Sequence, residues 1–538
     1  MISPARKLLY GLARSTLLGM VLACAWGPSI AVADPVVVTQ QGRVGGVEKS
    51  DVREFLGIPY AAPPIGDLRW KPPQIHAPWP DILDATKFRG HCAQSPSATG
   101  TPSTSEDCLF LNVYVPSKTP HLRAVMVWIH GGSLTIGQSD DFDGSMLATI
   151  GDVIVVTINY RLGFLGFLAH PALTAESPNH ASGNYGIMDQ QFALQWVQRN
   201  IIAFGGDPNK VTIFGQSAGG LSVLSHLASP RAAGLFHRAI VQSGAYELVL
   251  PTLAVGETQG VLFANAVGCS GQTAQCLRSL SVEQILAHQG GATSVEQILK
   301  NQGGATPVVD GFVLPRSLQV AIATGQFNRV PVISGTNHDD ARFLVALLEL
   351  AGRGFSAAQY PAAVLAAFGP QAGPLVLAQY PLTNYLNADE AIAAIVTDFA
   401  FACPARLVDQ ALSRYVPVFA YEFNDEDAPE IFLPPVSYPY GAAHASELQY
   451  FFPAGSLTHL PPPPPELRPD QRKLSRAMMH YWTQFAKTGD PNEPKTPSWA
   501  AYASALDEFQ SLEPRFLARE FTFTPAHRCI FWTPLLSQ

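Results

Sequence analysis

The stretch Gly215-Gln216-Ser217-Ala218-Gly219-Gly220 sets a hydroxyl among glycines. It follows Lys210-Val211-Thr212-Ile213-Phe214, a run with the β-branched character of a buried strand. It precedes Leu221-Ser222-Val223-Leu224-Ser225-His226-Leu227, which suits a helix. Strand, Gly-x-Ser-x-Gly, helix is the setting of a nucleophile elbow. Gly215 and Gly219 leave room for a sharp, strained turn that lifts the Ser217 hydroxyl clear of the sheet. The same turn aims the Ala218 N–H at the place where an oxyanion would form. An ordinary glycine-rich βα turn has a similar pattern, so the partners matter. A serine hydroxyl is inert without a base and an acid to orient that base. Downstream acids in loops after strands are Asp310, Asp339, Asp340 and Glu447. Downstream histidines are His338, His444, His459, His480 and His527. His444 sits in Tyr440-Gly441-Ala442-Ala443-His444-Ala445-Ser446, a small-residue loop from which an imidazole can project.

The elements that must hold these side chains read as an α/β sheet. Leu109–Val115, Ala124–Ile129 and Val153–Ile158 are apolar throughout, as central strands covered on both faces are. Asp189–Phe204 carries apolar residues at helical spacing. Val330–Gly335 and Val418–Phe423 read as later strands of the same sheet. Such alternation implies a large, mostly parallel central sheet with helices on both faces. No boundary divides the chain after its first residues, so one domain is expected over 34–538. Ser281–Thr293 recurs as residues 294–306 with two changes, Lys300 and Asn301. Two copies are too few for a solenoid, and they read as a tandem duplication in a surface helix and loop. Pro461–Pro465 reads as a stiff surface loop.

The chain has 538 residues, 47% of them hydrophobic, enough for a large core. A net charge of −8 provides no basic field, so nucleic acid is not expected as a partner. Arg6, Lys7 and Arg14 precede a short apolar run, Thr16–Ala25, and the small-residue triplet Ala31-Val32-Ala33. This is the pattern of a secretory signal cut after Ala33, over residues 1–33. The run is too short for a membrane anchor, and Cys24 fits a lipoprotein signal only loosely. No later stretch reads as long and apolar enough to span a bilayer, so stable membrane insertion is not expected. Beyond Cys24 the chain has six cysteines: Cys92, Cys108, Cys269, Cys276, Cys403 and Cys529. An even number in an exported chain suggests disulfides, with 15 possible pairings. Metal ligation by these cysteines is the weaker reading, because no Cys-x-x-Cys pair or histidine cluster accompanies them.

Two long segments carry a family resemblance. Phe204-Gly205-Gly206-Asp207-Pro208-Asn209-Lys210, running into Gly215–Gly219, resembles the serine signature of type-B carboxylesterases. Glu106-Asp107-Cys108-Leu109-Phe110-Leu111-Asn112-Val113 resembles the second signature of that family. Phe55–Arg69, Asn159–Arg161 and Gly183–Gly186 are also similar, so the likeness runs from about residue 36 to 533. The resemblance implies an α/β-hydrolase fold and an exported serine esterase, secreted or periplasmic, that cleaves small-molecule carboxylic esters without metal or organic cofactor. It implies Ser217 as nucleophile, His444 as base and Asp340 as acid, the last at a position where the family usually has Glu. It implies an oxyanion loop at His130-Gly131-Gly132-Ser133, with the N–H groups of Gly132 and Ser133 joining that of Ala218. It implies the pairings Cys92–Cys108, Cys269–Cys276 and Cys403–Cys529, and an ion pair of Glu106 with Arg69. Gln216 stands where cholinesterases have Glu, and the Cys92–Cys108 loop contains no Trp. Quaternary ammonium ions favour an aromatic face, so choline esters are not the expected substrates. A lipase-like enzyme of oil–water interfaces and a catalytically weak binding module are the competing readings. The sequence leaves the oligomeric state open.

Overall fold

The central strands form because their runs of Val, Ile, Phe and Trp can be buried on both faces. β6 (Phe110–Pro116), β7 (Arg123–Ile129) and β8 (Ile154–Ile158) are buried at every residue. β11 (Val332–Asn337) and β12 (Val418–Phe423) are buried likewise. The structure is a computed structural model that describes residues 35–97, 100–117, 121–289, 306–458 and 463–536. Before these lie β1 (Val36–Thr39), β2 (Gly42–Gly45), β3 (Val47–Lys49), β4 (Val52–Pro59) and β5 (Leu83–Asp84). The remaining strands are β9 (Gly206–Gln216), β10 (Arg238–Gln242), β13 (Phe509–Leu512) and β14 (Ala518–Glu520).

Eleven strands form one sheet in the order β14-β13-β12-β11-β10-β9-β7-β8-β6-β4-β3. Pairing is parallel from β8 through β7, β9, β10, β11 and β12 to β13. Antiparallel pairs close both ends: β3, β4 and β6 on one side, β14 on the other. β1, β2 and β5 form a small separate sheet. The architecture is that of an α/β hydrolase. The crossover β9–helix–β10 puts Ser217 at the carboxyl end of a central strand, where open parallel sheets place their ligands.

Several boundaries differ from the sequence reading. The helix expected over Asp189–Phe204 runs from Tyr185 to Asn200 and tightens into a 3-10 turn, Ile201–Phe204. Two helical stretches, Tyr360–Asn384 and Ala388–Leu412, are long and apolar enough to cross a membrane, contrary to expectation. The first is kinked at Gly369, at φ 75°, and also carries Pro370 and Pro374. It lies mostly on the surface, while the second is mostly buried. The proposed signal (1–33), most of the second repeat copy and His459 fall outside the described residues. The first copy opens as a capped helix, Val282–His288, with Ser281 and Gln284 forming a capping box.

Three disulfides close the expected pairs: Cys92–Cys108, Cys269–Cys276 and Cys403–Cys529. Arg69 and Glu106 form a two-pronged ion pair, and Arg69 Nη1 also donates to the Leu280 carbonyl at 2.6 Å.

Candidate active site

Ser217 sits at φ 58°, ψ −124°, between β9 and the helix Ala218–Ala228. That strain requires close backbone neighbours on both sides. A Cβ at Gly219 would lie 1.9 Å from the Ile129 carbonyl, and one at Gly215 would lie 2.6 Å from Gly219. Only glycine therefore lets β9, β7 and the helix meet around the serine. The Ser217 N–H donates to the Gln242 carbonyl of β10 at 2.8 Å, which pins the turn to the sheet.

His444 Nδ1 and Asp340 Oδ1 share a short hydrogen bond, and the His444 N–H donates to the Asp340 carbonyl at 3.1 Å. Asp340 is fully buried. Its other oxygen accepts from Ser243 Oγ at 2.8 Å, from the Asn337 N–H at 3.1 Å and from Thr336 Oγ1. Four donors thus fix the carboxylate in place. Asn337 also ties the two loops together, donating from Nδ2 to the Ala443 carbonyl at 2.7 Å and to Glu447 Oε2 at 2.8 Å. Phe401 and Phe343 flank the imidazole, with ring centroids at 5.3 and 6.3 Å.

The other sequence candidates go elsewhere. Asp339 faces away, pairing with Arg342 at 3.1 Å and accepting from the Ala442 N–H at 3.0 Å. Asp310 Oδ1 caps the backbone N–H groups of Phe312, Val313 and Leu314. Glu447 is fully buried between Gln242 and Asn337, and burial raises its carboxyl above the ordinary range. His480 pairs with Glu493 at 2.7 Å. His338 and His527 both contact Glu422 on β12.

The loop after β7 supplies free donors. Gly132 takes φ 103°, and a Cβ there would lie 2.2 Å from the Ile136 carbonyl. Ser133 and Leu134 follow at φ 53° and 58°, two left-handed residues in succession. Among the described residues, the N–H groups of Gly132 and Ser133 donate to no acceptor. The Ala218 N–H, in the first turn of its helix, has no intrahelical acceptor either. The loop is braced from below. Tyr160 stacks on His130 at 4.5 Å and donates its hydroxyl to the His130 carbonyl at 2.8 Å. Burial holds the His130 ring neutral, its pKa pushed down to about 4. The roles of Ser243 and Tyr160 as braces had no signal in the sequence, because contacts between residues far apart in the chain leave no periodic pattern.

Ser217, His444, Gly131, Gly132 and Ser133 line one cavity of about 140 Å³, which Gln216 also lines. Phe142, Phe343, Leu344, Leu347 and Phe432 supply its apolar walls. A strained hydroxyl, an oriented imidazole and unpaired N–H groups on one apolar cavity are what acyl transfer through a covalent intermediate requires.

The chain is similar to known proteins over nearly its whole length. A family model described as carboxylesterase family matches residues 33–532. A pyrethroid hydrolase, Ces2e, of Rattus norvegicus is 36% identical, over 94% of this chain and 90% of its own length. An acylcarnitine hydrolase of Mus musculus is 34% identical, over 96% and 94%. The cocaine esterase of Homo sapiens is 34% identical, over 97% and 95%.

Proposed function

Because the chain belongs to the carboxylesterase family, and is thus a hydrolase of carboxylic esters, we propose that Ser217, His444 and Asp340 are its catalytic triad. The N–H groups of Gly132, Ser133 and Ala218 form its oxyanion hole, with Gly131 shaping the loop. The observation that carries this reading is the buried Asp340–His444 pair, with His444 and Ser217 on one cavity. His444 takes the Ser217 proton as the oxygen attacks the ester carbonyl. Asp340 holds the ring with its Nδ1 proton inward and stabilises the imidazolium that forms. The three N–H groups receive the negative charge on the carbonyl oxygen, bonding it more strongly in the transition state than in the ester. His444 then returns the proton to the departing alcohol, and water repeats the sequence on the acyl-enzyme. Asp in place of Glu shortens the acid by one methylene, a reach of about 1.5 Å. The Asp340–His444 backbone hydrogen bond supports a loop drawn close enough to make up that reach.

The largely apolar cavity walls and the uncharged Gln216 favour neutral esters, the acidic Asp141 on the lining being bonded by Gln138 Nε2 at 2.9 Å. The three disulfides support residence in an oxidising compartment, and the N-terminal signal pattern supports export as a single catalytic domain from residue 34. A fluorophosphonate probe tests the assignment. It is expected to label the wild type at Ser217 and to leave Ser217→Ala unlabelled. Labelling of another residue, or ester turnover by Ser217→Ala at the wild-type rate, refutes the triad. On specificity, kcat/KM for p-nitrophenyl butyrate is expected to exceed that for butyrylcholine, and the reverse order overturns the preference.

A further inference from the structure

Two histidines that the sequence offered as bases meet outside the Ser217 cavity. His338 Nδ1 lies 2.9 Å from Glu422 Oε1, and His527 Nε2 lies 2.5 Å from the same oxygen. All three ligand atoms fall within 4.8 Å of one another, brought from three distant segments of the chain. We infer that His338, Glu422 and His527 form a binding site for one divalent transition-metal ion, zinc being the best chemical match. Two imidazoles and a carboxylate are the donor set that zinc accepts in open sites, with solvent completing the coordination.

Three further features support a ligand here beyond a closed ion network. His527 is backed by a carboxylate: its Nδ1 lies 2.6 Å from Asp398 Oδ1, and Tyr380 and Arg528 hold Asp398 Oδ2 in turn. That arrangement orients Nε2 toward the cluster, as outer-shell carboxylates orient metal-bound imidazoles. Glu422 is fully buried, and its Oε2 accepts from no N–H or hydroxyl. The Glu520 carboxyl stands within hydrogen-bonding reach of Glu422, so two acidic groups face each other beside the histidines. Finally, the cluster is accessible. His338 has a side chain 34% exposed and lines, with Glu520, a cleft of about 710 Å³. Six acidic residues and three arginines line that cleft, a balance that concentrates cations. The cleft shares no lining residue with the Ser217 cavity.

A tetrahedral ion at about 2.0–2.1 Å from each nitrogen needs its ligand atoms roughly 3.3 Å apart, so on binding His527 Nε2 and Glu422 Oε1 must part from their present 2.5 Å. The ion takes no part in ester cleavage. It ties the β11 loop, two residues before Asp340, to β12 and to the C-terminal segment, and so positions the acid loop.

The test uses untagged protein stripped with EDTA, given zinc chloride and freed of excess by gel filtration. Mass spectrometry of the metal content is expected to find about one zinc per chain. Calorimetric titration is expected to show affinity at least tenfold weaker in His338→Ala and Glu422→Gln. Asp398→Asn is expected to lose about 10- to 100-fold, the usual effect of removing an outer-shell carboxylate. Zinc is also expected to raise the melting temperature of the wild type and not that of His338→Ala. If Glu422→Gln fails to fold, His338→Ala decides alone, because its side chain reaches solvent. No retained zinc in the wild type, or equal retention by His338→Ala, overturns the site and leaves a closed ion network.

Discussion

At the scale of single residues, the decisive contrast is between two neighbours, Asp339 and Asp340. Adjacent side chains in a turn point in different directions, and here one bonds His444 while the other bonds Arg342. Asn at position 340 would keep the shape but offer an amide N–H to the imidazole, which then favours the wrong tautomer. The same exchange in a serine protease costs about 10⁴ in kcat. Asp340→Asn is therefore expected to lose at least about 10²-fold in kcat. Asp339→Asn is expected to stay within about tenfold, since it disturbs a largely buried ion pair and one loop hydrogen bond but no contact to the imidazole. Measuring kcat for both, with circular dichroism to establish folding, decides the matter. A crippled Asp339→Asn beside a healthy Asp340→Asn would move the acid elsewhere.

At the scale of elements, the site depends on two backbone turns in conformations that most residues avoid. Ser217 is one, and Gly132-Ser133-Leu134 is the other. The oxyanion loop tests this most sharply. An added Cβ at Gly132 would strike the Ile136 carbonyl, and the backbone would have to turn its N–H away. Gly132→Ala is expected to lower kcat by about 10²–10³, the cost of one lost donor, with KM little changed. An unchanged kcat would remove the Gly132 N–H from the mechanism. The two turns also differ in how legible they were. The elbow announces itself, because strand, glycine, serine, glycine and helix occur consecutively. β7, β8 and β12 were equally plain, because burial on both faces leaves unbroken apolar runs. The antiparallel edges, β3 and β14, were not, since short half-exposed strands have mixed composition. Nor could the sequence join β10 to the acid loop: Ser243 bonds Asp340 across 97 residues. Asp340 itself, the cysteine pairs and the oxyanion loop were reached through family likeness, as residue type alone left Asp339, Asp310 and Glu447 in contention.

At the scale of the whole molecule, the size of the core determines how the protein meets acid. His226 and His130 are buried without a carboxylate partner, and burial pushes His226 down to about 3 and His130 to about 4. In the unfolded chain both return to the ordinary value near 6.5. A depressed folded pKa gives stability that is complete above about 6.5 and is lost as pH falls toward the folded value, because only the unfolded chain takes up the proton. Each histidine therefore removes about 1.4 kcal/mol per pH unit within that window, or about 2 kcal/mol between pH 6.5 and 5.0. His226 is the better probe, since it lies in the helix after Ser217 and bonds Gln190 Oε1 at 2.8 Å, clear of the triad. His226→Gln keeps a side-chain amide that can donate to Gln190 but cannot titrate. It is expected to be less stable than the wild type at pH 7.5, where the lost ring leaves space in a full core. Between pH 7.5 and 5.0, however, it is expected to lose about 2 kcal/mol less than the wild type does. Urea unfolding at the two pH values, with the disulfides intact, measures both differences. The sign separates this effect from packing, which lowers the curve without changing its slope. Parallel curves for the two proteins would mean that His226 takes up its proton as readily in the folded state as in the unfolded chain, and that the helix behind the nucleophile is far wetter than its complete burial implies.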